Sequence, residues 1–349
     1  MQVCLSFGIV KMNVLGIETS CDETSVAIVK DGKKILSNTV ASSLRFHKKY
    51  GGVIPEIASR MQLELIAGVA DSAVRDSAVP LGKIDLISVT SGPGLLGSLL
   101  TGISFAKALS FSLAVPLVAV NHVYSHIYAN FLTGKSIDFP FVALVVSGGH
   151  TSLFYVEDFH RIITLGQTQD DACGEAFDKV ANILGLGYPG GPLIEKLALE
   201  GDKRKIKFGC SGTKKELNFS FSGIKTAVLY YVRGTPRNKN KHYELSTMNY
   251  ELKTDIAASF QETVIDTLIK KSFLACSLKK TNRLVVGGGV VANSRLREKF
   301  SIVARERRIA CYFPPKDLCI DNAAMVAGFG YQLFKKGKVT GLDLNAELN

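Results

Sequence analysis

The chain has 349 residues, more than the roughly 250–300 that one hydrophobic core serves, so its length points to two lobes. Hydrophobic residues make up 46% and charged residues 21%, which excludes a disordered, collagen-like or disulfide-scaffold chain. The formal charge of +11 favours a polyanionic partner, and seven cysteines without a Cys-x-x-Cys pair fit reduced thiols in the cytoplasm.

Residues 1–11 lack the early basic region and small-residue cleavage site of a signal peptide. They read as an extension, with Met12 as a candidate start. Val14-Leu-Gly-Ile-Glu-Thr-Ser20 and residues 25–29 are apolar strands around a polar turn, a hairpin. Helical periodicity covers 55–74 and 97–109. The most hydrophobic stretch, 98–120, contains Lys107 and Pro116. It reads as a helix followed by a buried strand, not as a membrane span of about 20 apolar residues. Phe141-Val-Ala-Leu-Val-Val-Ser-Gly-Gly-His150, followed by 151–156, repeats the hairpin logic. Further helices are expected over 176–184, 193–199, 256–274 and 322–334. Leu284-Val-Val-Gly-Gly-Gly-Val-Val-Ala-Asn293 is a third strand-then-glycine unit, with a basic helix after it. One hairpin per half suggests two duplicated lobes across a cleft, each an α/β lobe with a mixed sheet. Residues 203–217 and 233–250 interrupt the pattern, either as solvated insertions or as basic surface for nucleic acid.

His122 and His126 stand at i and i+4, where one helix face brings both rings to one metal. Two unrelated imidazoles, one capping and one packing, are the plain alternative. A zinc-protease helix needs Glu at position 123, and Val123 is there instead. Asp321 is the best third ligand, its alternative role being the N-cap of the helix after it. The glycines ending Val145, Val146, Ser147, Gly148 and Gly149 let backbone amides approach a phosphate, or serve a turn needing positive φ. Gly287-Gly-Gly289 before Asn293 is similar. Gly92-Pro-Gly-Leu-Leu-Gly97 matches a dinucleotide fingerprint but lacks the later acidic residue, so it reads as a glycine-rich helix start facing an anion or packing. Asp178 falls on the helix face toward the expected cleft, unless it is ordinary helix-start charge. Gly191, in Tyr188-Pro-Gly-Gly-Pro192, sits in a rigid turn open to a ligand. Phe219-Ser-Phe-Ser-Gly-Ile-Lys-Thr226 offers hydroxyls and a lysine, for capping or an anion.

Together, Gly16-Ile-Glu-Thr-Ser-Cys-Asp-Glu-Thr24, Ser91-Gly-Pro-Gly-Leu-Leu-Gly97, His122-x-x-x-His126, Val146-Ser-Gly-Gly-His150, Gly174-Glu-Ala-Phe-Asp-Lys179, Tyr188-Pro-Gly-Gly191, Phe219-Ser-Phe-Ser-Gly223 and Gly287-Gly-Gly-Val-x-Ala-Asn293 resemble the TsaD family, once called O-sialoglycoprotein endopeptidases. The resemblance runs in order from Met12 to Lys335. It implies an actin-like ATPase (ASKHA) fold of two ribonuclease-H-like lobes, lobe I being 12–131 plus 322–349 and lobe II 132–321. It implies transfer of threonylcarbamoyl from threonylcarbamoyl-AMP to the adenosine 3′ of the anticodon in tRNAs reading ANN codons. By the same carry-over His122, His126 and Asp321 hold one divalent metal, iron or zinc. Val145, Val146, Ser147, Gly148, Gly149, Asp178, Gly191 and Asn293 hold the adenylate. Some relatives have Asp where this chain has Glu195, so a ribose contact is implied there. TsaB-like and TsaE-like protein partners follow, with a TsaC-like enzyme supplying the intermediate, and a cytoplasmic site of action without a membrane.

The rival readings are an actin-like small-molecule kinase and a non-catalytic nucleotide-binding scaffold. The kinase needs a carboxylate base and Mg²⁺, so one tightly held iron or zinc per chain separates it from the transferase. A third rival, the metalloprotease of the old family name, is disfavoured by Val123.

Overall fold

A computed structural model describes residues 11–210, 212–234 and 249–347. Within them, one unit gathers the residues up to His47, Val53–Ile137 and those from Asp321 on; the other comprises Lys48–Gly52 and Asp138–Ile320.

The first unit opens with β1 (Asn13–Glu18), β2 (Glu23–Lys30), β3 (Lys34–Ser42), α1 (Leu44–His47) and α2 (Pro55–Ser77). It continues through β4 (Leu86–Gly92), α3 (Leu96–Leu113), β5 (Leu117–Asn121) and α4 (His122–Tyr128). The second unit carries β6 (Phe141–Val146), β7 (Thr151–Asp158), β8 (Arg161–Gln167), α5 (Cys173–Ile183), α6 (Gly190–Ala198) and α7 (Ser222–Arg233). It closes with α8 (Tyr250–Leu278), β9 (Arg283–Gly287), α9 (Ser294–Glu306) and β10 (Ala310–Tyr312). The chain then returns to the first unit as α10 (Ala323–Lys335).

The two sheets repeat one topology. The first runs β3-β2-β1-β4-β5 and the second β8-β7-β6-β9-β10, each an antiparallel meander followed by two parallel strands. The duplicated hairpins expected from the sequence are thus the first two strands of each sheet. The third strands, β3 and β8, were not evident in the sequence. Each lies at a sheet edge and is largely exposed or half-buried, so its apolar alternation is weak.

In the first unit α2 and α3 bury Ile66, Ala73, Leu99 and Ile103 against Leu15, Ile17, Val26 and Ile28. The other sheet face takes α10 at close range. Gly16 permits this, because a Cβ there would lie 2.7 Å from the backbone nitrogen of Ala327. The stretch read as helix then strand is α3 followed by β5. Among the described residues α3 is the one helix long and apolar enough to cross a membrane. Its Leu99, Ile103 and Ala106 are buried in the core. In the second unit Val142, Leu144 and Val146 pack with Phe177, Phe260 and Phe273.

Asparagines open four helices. The side chains of Asn121, Asn249, Asn293 and Asn322 accept hydrogen bonds from the first turns of α4, α8, α9 and α10. Among the described residues, the interruption at 203–217 carries no named helix or strand. Most of the other, residues 235–248, lies outside the described residues.

Candidate functional site

In the first unit β5 ends at Asn121, whose side chain accepts from the backbone nitrogen of Tyr124 at 3.1 Å and starts α4. His122 and His126 thus occupy successive turns of one short helix, with ring centroids 4.7 Å apart. Asp321 arrives from just before α10. Its Oδ1 lies 3.1 Å from Nε2 of His126 and 3.7 Å from Nε2 of His122. One ligand atom from each residue falls within 4.8 Å of the others, a group that could hold a metal ion. The alternative role of Asp321 fails, because Asn322 makes the N-cap of α10, accepting from the backbone nitrogen of Met325 at 3.1 Å.

The donor set fits a divalent cation. Both ring nitrogens of His126 are buried and have no hydrogen-bond partner among the described residues. Buried polar atoms are nearly always paired, so an imidazole left this way beside a carboxylate suits coordination. His122 is held from behind: its Nδ1 lies 3.1 Å from Oε2 of Glu18 and 3.0 Å from Oγ of Ser20. Burial opposes an imidazolium at His122, yet Glu18 and Asp321 outweigh it and raise its pKa to about 9. Burial likewise lifts Glu23 well above the usual carboxylate range, with Asp321 and Asp22 adding to the effect. Burial, then Asp321, Asp22 and Glu23, push the Cys21 thiol up as well. Glu18 and Asp321 both face His122, and a bound cation would offset their charge.

The second unit holds the other expected residues. Val145 and Val146 are buried at the end of β6, next to β9, where Val145 pairs with Gly287. Ser147 closes the turn, its nitrogen donating to His150 O at 2.8 Å and its Oγ accepting from His150 N at 3.1 Å. Gly174 N donates to Ser147 O at 3.1 Å, tying this turn to α5. Asp178 of α5 accepts from Gly190 N at 2.7 Å, at the start of α6. Burial raises the Asp178 carboxyl above its ordinary value despite donation from Gly190 and Gly191. Glu195 of α6 accepts from Ser294 N at 2.7 Å, which brings α6 to α9. Asn293 caps α9 by accepting from Leu296 N at 2.9 Å and donates to Oε1 of Gln261 at 2.7 Å. Asp178, Gly191, Glu195 and Asn293 are therefore linked through the first turns of α6 and α9.

The glycines separate into three kinds. Gly148, Gly149, Gly191 and Gly289 do not have positive φ, and a Cβ on any of them would meet nothing within 4 Å. Neither backbone conformation nor a neighbour demands glycine there, and each fronts open space. Gly288, at φ 98°, is a conformational glycine. Gly94 and Gly97 are packing glycines: a Cβ would lie 2.8 Å from Ser20 Cβ and 3.0 Å from Ser59 Cβ respectively. The packing alternative therefore explains the Gly92–Gly97 run.

Sequence reasoning missed Glu18, Ser20 and Thr90 as the support of His122. The available signal was a carboxylate inside an apolar strand, where burial demands a partner. At 220–222 the hydroxyls of Ser220 and Ser222 go to Asp170, which also accepts from the nitrogens of Phe221 and Ser222, a capping arrangement at α7.

The family profile described as TsaD, tRNA N6-adenosine threonylcarbamoyltransferase, matches residues 34–328. A Thermodesulfovibrio yellowstonii protein named tRNA N6-adenosine threonylcarbamoyltransferase is 50% identical over 335 residues, covering 96% of this chain and 98% of that one. A Caldicellulosiruptor saccharolyticus protein of the same name is 48% identical over 335 residues, covering 96% and 97%. Among solved structures, T. kodakarensis HypF superposes with a TM-score of 0.61 at 13% identity, covering 97% of this chain; the chain spans 51% of HypF. Component A of (R)-2-hydroxyglutaryl-CoA dehydratase from Acidaminococcus fermentans gives a TM-score of 0.54 at 16% identity, covering 92% and 98%. These structures place the chain in the actin-like ATPase fold.

Proposed function

The chain belongs to the TsaD family of tRNA N6-adenosine threonylcarbamoyltransferases, and on that premise we propose how its residues serve the reaction. It is a transferase that modifies N6 of adenosine in tRNA with a threonylcarbamoyl group. The kinase and scaffold readings are not favoured. The donor in this reading is threonylcarbamoyl-AMP and the acceptor is the adenosine 3′ of the anticodon in tRNAs reading ANN codons. N6 attacks the carbamoyl carbon, the bond from that carbon to the phosphate oxygen breaks, AMP leaves, and the amine gives up a proton.

The amine is a weak nucleophile because its lone pair is delocalised into the ring. Positioning and charge stabilisation therefore matter most. Ser147, Gly148, Gly149 and Gly191 offer backbone close to the adenylate, with Val145 and Val146 fixing the strand end behind them. Asp178, Asn293 and Glu195 set the helix starts around it, Glu195 lying nearest the ribose in this reading. His122, His126 and Asp321 would hold one divalent metal, which we assign as iron, with zinc as the other candidate. Bound there, the ion would supply Lewis acidity. The single observation that carries this is the buried His126, with no hydrogen-bond partner among the described residues and 3.1 Å from Asp321.

The basic surplus draws tRNA to the protein, and the reaction belongs in the cytoplasm. TsaB-like and TsaE-like proteins complete the system. Exposed Leu63 on α2, with Leu100 and Phe111 on α3, supplies apolar surface of the kind a protein partner covers. A reconstituted assay tests the reading. The purified protein with these partners, threonylcarbamoyl-AMP and unmodified tRNA should yield N6-threonylcarbamoyladenosine. Product at the level of a reaction without this chain would refute it.

A further inference from the structure

We propose that Glu18 is a positioning residue of the metal centre: its carboxylate keeps the ring hydrogen of His122 on Nδ1 and so presents Nε2 to the ion. This rests on the reading of His122, His126 and Asp321 as a metal site.

Glu18 ends β1 and is fully buried. A buried carboxylate is costly unless its oxygens are filled by donors. The surroundings fill them: Oε1 accepts from Ser20 N at 2.6 Å, and Oε2 accepts from Thr90 Oγ1 at 2.7 Å. Oε2 also faces His122 Nδ1 at 3.1 Å. Among the described residues the one ion-pair partner of Glu18 is His122; neither Lys nor Arg reaches it. Two donors from other residues hold the carboxylate rigidly, and the remaining contact is aimed at one ring nitrogen.

Ser20 shows why a carboxylate is needed. Its hydroxyl lies 3.0 Å from the same Nδ1. A hydroxyl donates as readily as it accepts. With Ser20 alone, the hydroxyl could donate to Nδ1, the ring hydrogen would move to Nε2, and the atom facing Asp321 would lose its lone pair. An ionised carboxylate only accepts. Glu18 therefore imposes the tautomer that coordination requires, the role outer carboxylates play at metal-bound imidazoles.

The test is zinc titration of the metal-free full-length protein, read by competition with a chromophoric chelator, for wild type, Glu18→Gln and Thr90→Val. Alongside it, ¹⁵N NMR of the histidine rings in metal-free wild type and Glu18→Gln, recorded above pH 9 where the His122 ring is neutral, reports the tautomer. Gln is isosteric but has one acceptor oxygen for three donors. We expect wild type to bind one zinc with His122 protonated on Nδ1. Glu18→Gln should bind about 10- to 100-fold more weakly, with the ring hydrogen redistributed, and Thr90→Val should lose less in the same direction. Equal zinc affinity in wild type and Glu18→Gln overturns the proposal while leaving the metal site standing. Failure of wild type to bind zinc or ferrous iron overturns the metal site itself and the proposal with it. If Glu18→Gln does not fold, the wild-type tautomer and the Thr90→Val affinity decide: a hydrogen on Nε2, or unchanged affinity, overturns it.

Discussion

His126 Nε2 lies 3.1 Å from Asp321 Oδ1, while the residue next to Asp321, Asn322, makes the cap of the helix that follows. Two neighbouring polar residues thus divide two tasks, one facing the imidazoles and one starting a helix. Substitution should separate them.

Asp321→Ala should lose bound metal and keep its fold, whereas Asn322→Ala should keep metal and lose about 1 kcal/mol of stability with the α10 cap. Metal analysis of the purified variants, with denaturant unfolding, checks both. Metal retained in Asp321→Ala would remove that carboxylate from the site. His122→Ala and His126→Ala should weaken metal by more than the roughly 10- to 100-fold typical of outer partners.

Two adjacent glycines should respond in opposite ways. A Cβ at Gly190 would press to 2.6 Å from Ala181 Cβ and 2.7 Å from Asp178 Cα, so Gly190→Ala should destabilise the second unit. Gly191 faces open space without positive φ, so Gly191→Ala should melt at or slightly above the wild-type temperature, by about 0.4–1 kcal/mol of added stability. Its adenylate binding should nonetheless weaken. Thermal melts and AMP titration make the comparison, and unchanged AMP affinity in Gly191→Ala would count against the adenylate role.

Glu262 predicts a pH effect. Burial raises its carboxyl, but hydrogen bonds from Arg295 at 2.8 and 2.9 Å and from Lys299 at 2.6 Å outweigh that and hold it at about 2. A carboxyl depressed by folding contributes stability above its unfolded value of 4.5, and that contribution is lost as pH falls through about 2. Wild type should be more stable than Glu262→Gln at pH 7, and the gap should shrink between pH 4.5 and 2. A gap constant over that window would contradict the assignment.

The net charge of +11 predicts steep salt dependence. tRNA affinity should fall about tenfold or more between low and physiological salt as counterion release loses its advantage. Filter binding or anisotropy across a salt series reads the slope, and a flat response would mean that the charge surplus is not used on tRNA.

The strong periodic elements were legible in the sequence, and so were the histidine pair and its third partner. Apolar runs such as Phe141–Val146 have one physical use, burial, and His122 and His126 need only helical spacing to meet. Edge strands β3 and β8 were illegible because water covers much of their surface and relaxes the constraint on composition. Glu18 stood out as a carboxylate inside an apolar strand, but which residues it meets was illegible for a different reason. Its partners Thr90 and His122 are distant in sequence, and strand pairing of β1 with β4 brings Thr90 close. Asn293 shows a limit of another kind: its side chain is engaged in a cap and with Gln261, which spacing alone does not reveal.

The central claim is that a metal held by two imidazoles and a carboxylate serves threonylcarbamoyl transfer to tRNA. Mass-spectrometric nucleoside analysis of tRNA tests it in cells depleted of this protein and complemented with wild type or His122→Ala at equal expression. N6-threonylcarbamoyladenosine should disappear on depletion, return with wild type and stay absent with the variant. Persistence of the nucleoside after depletion, or full recovery with His122→Ala, would contradict it.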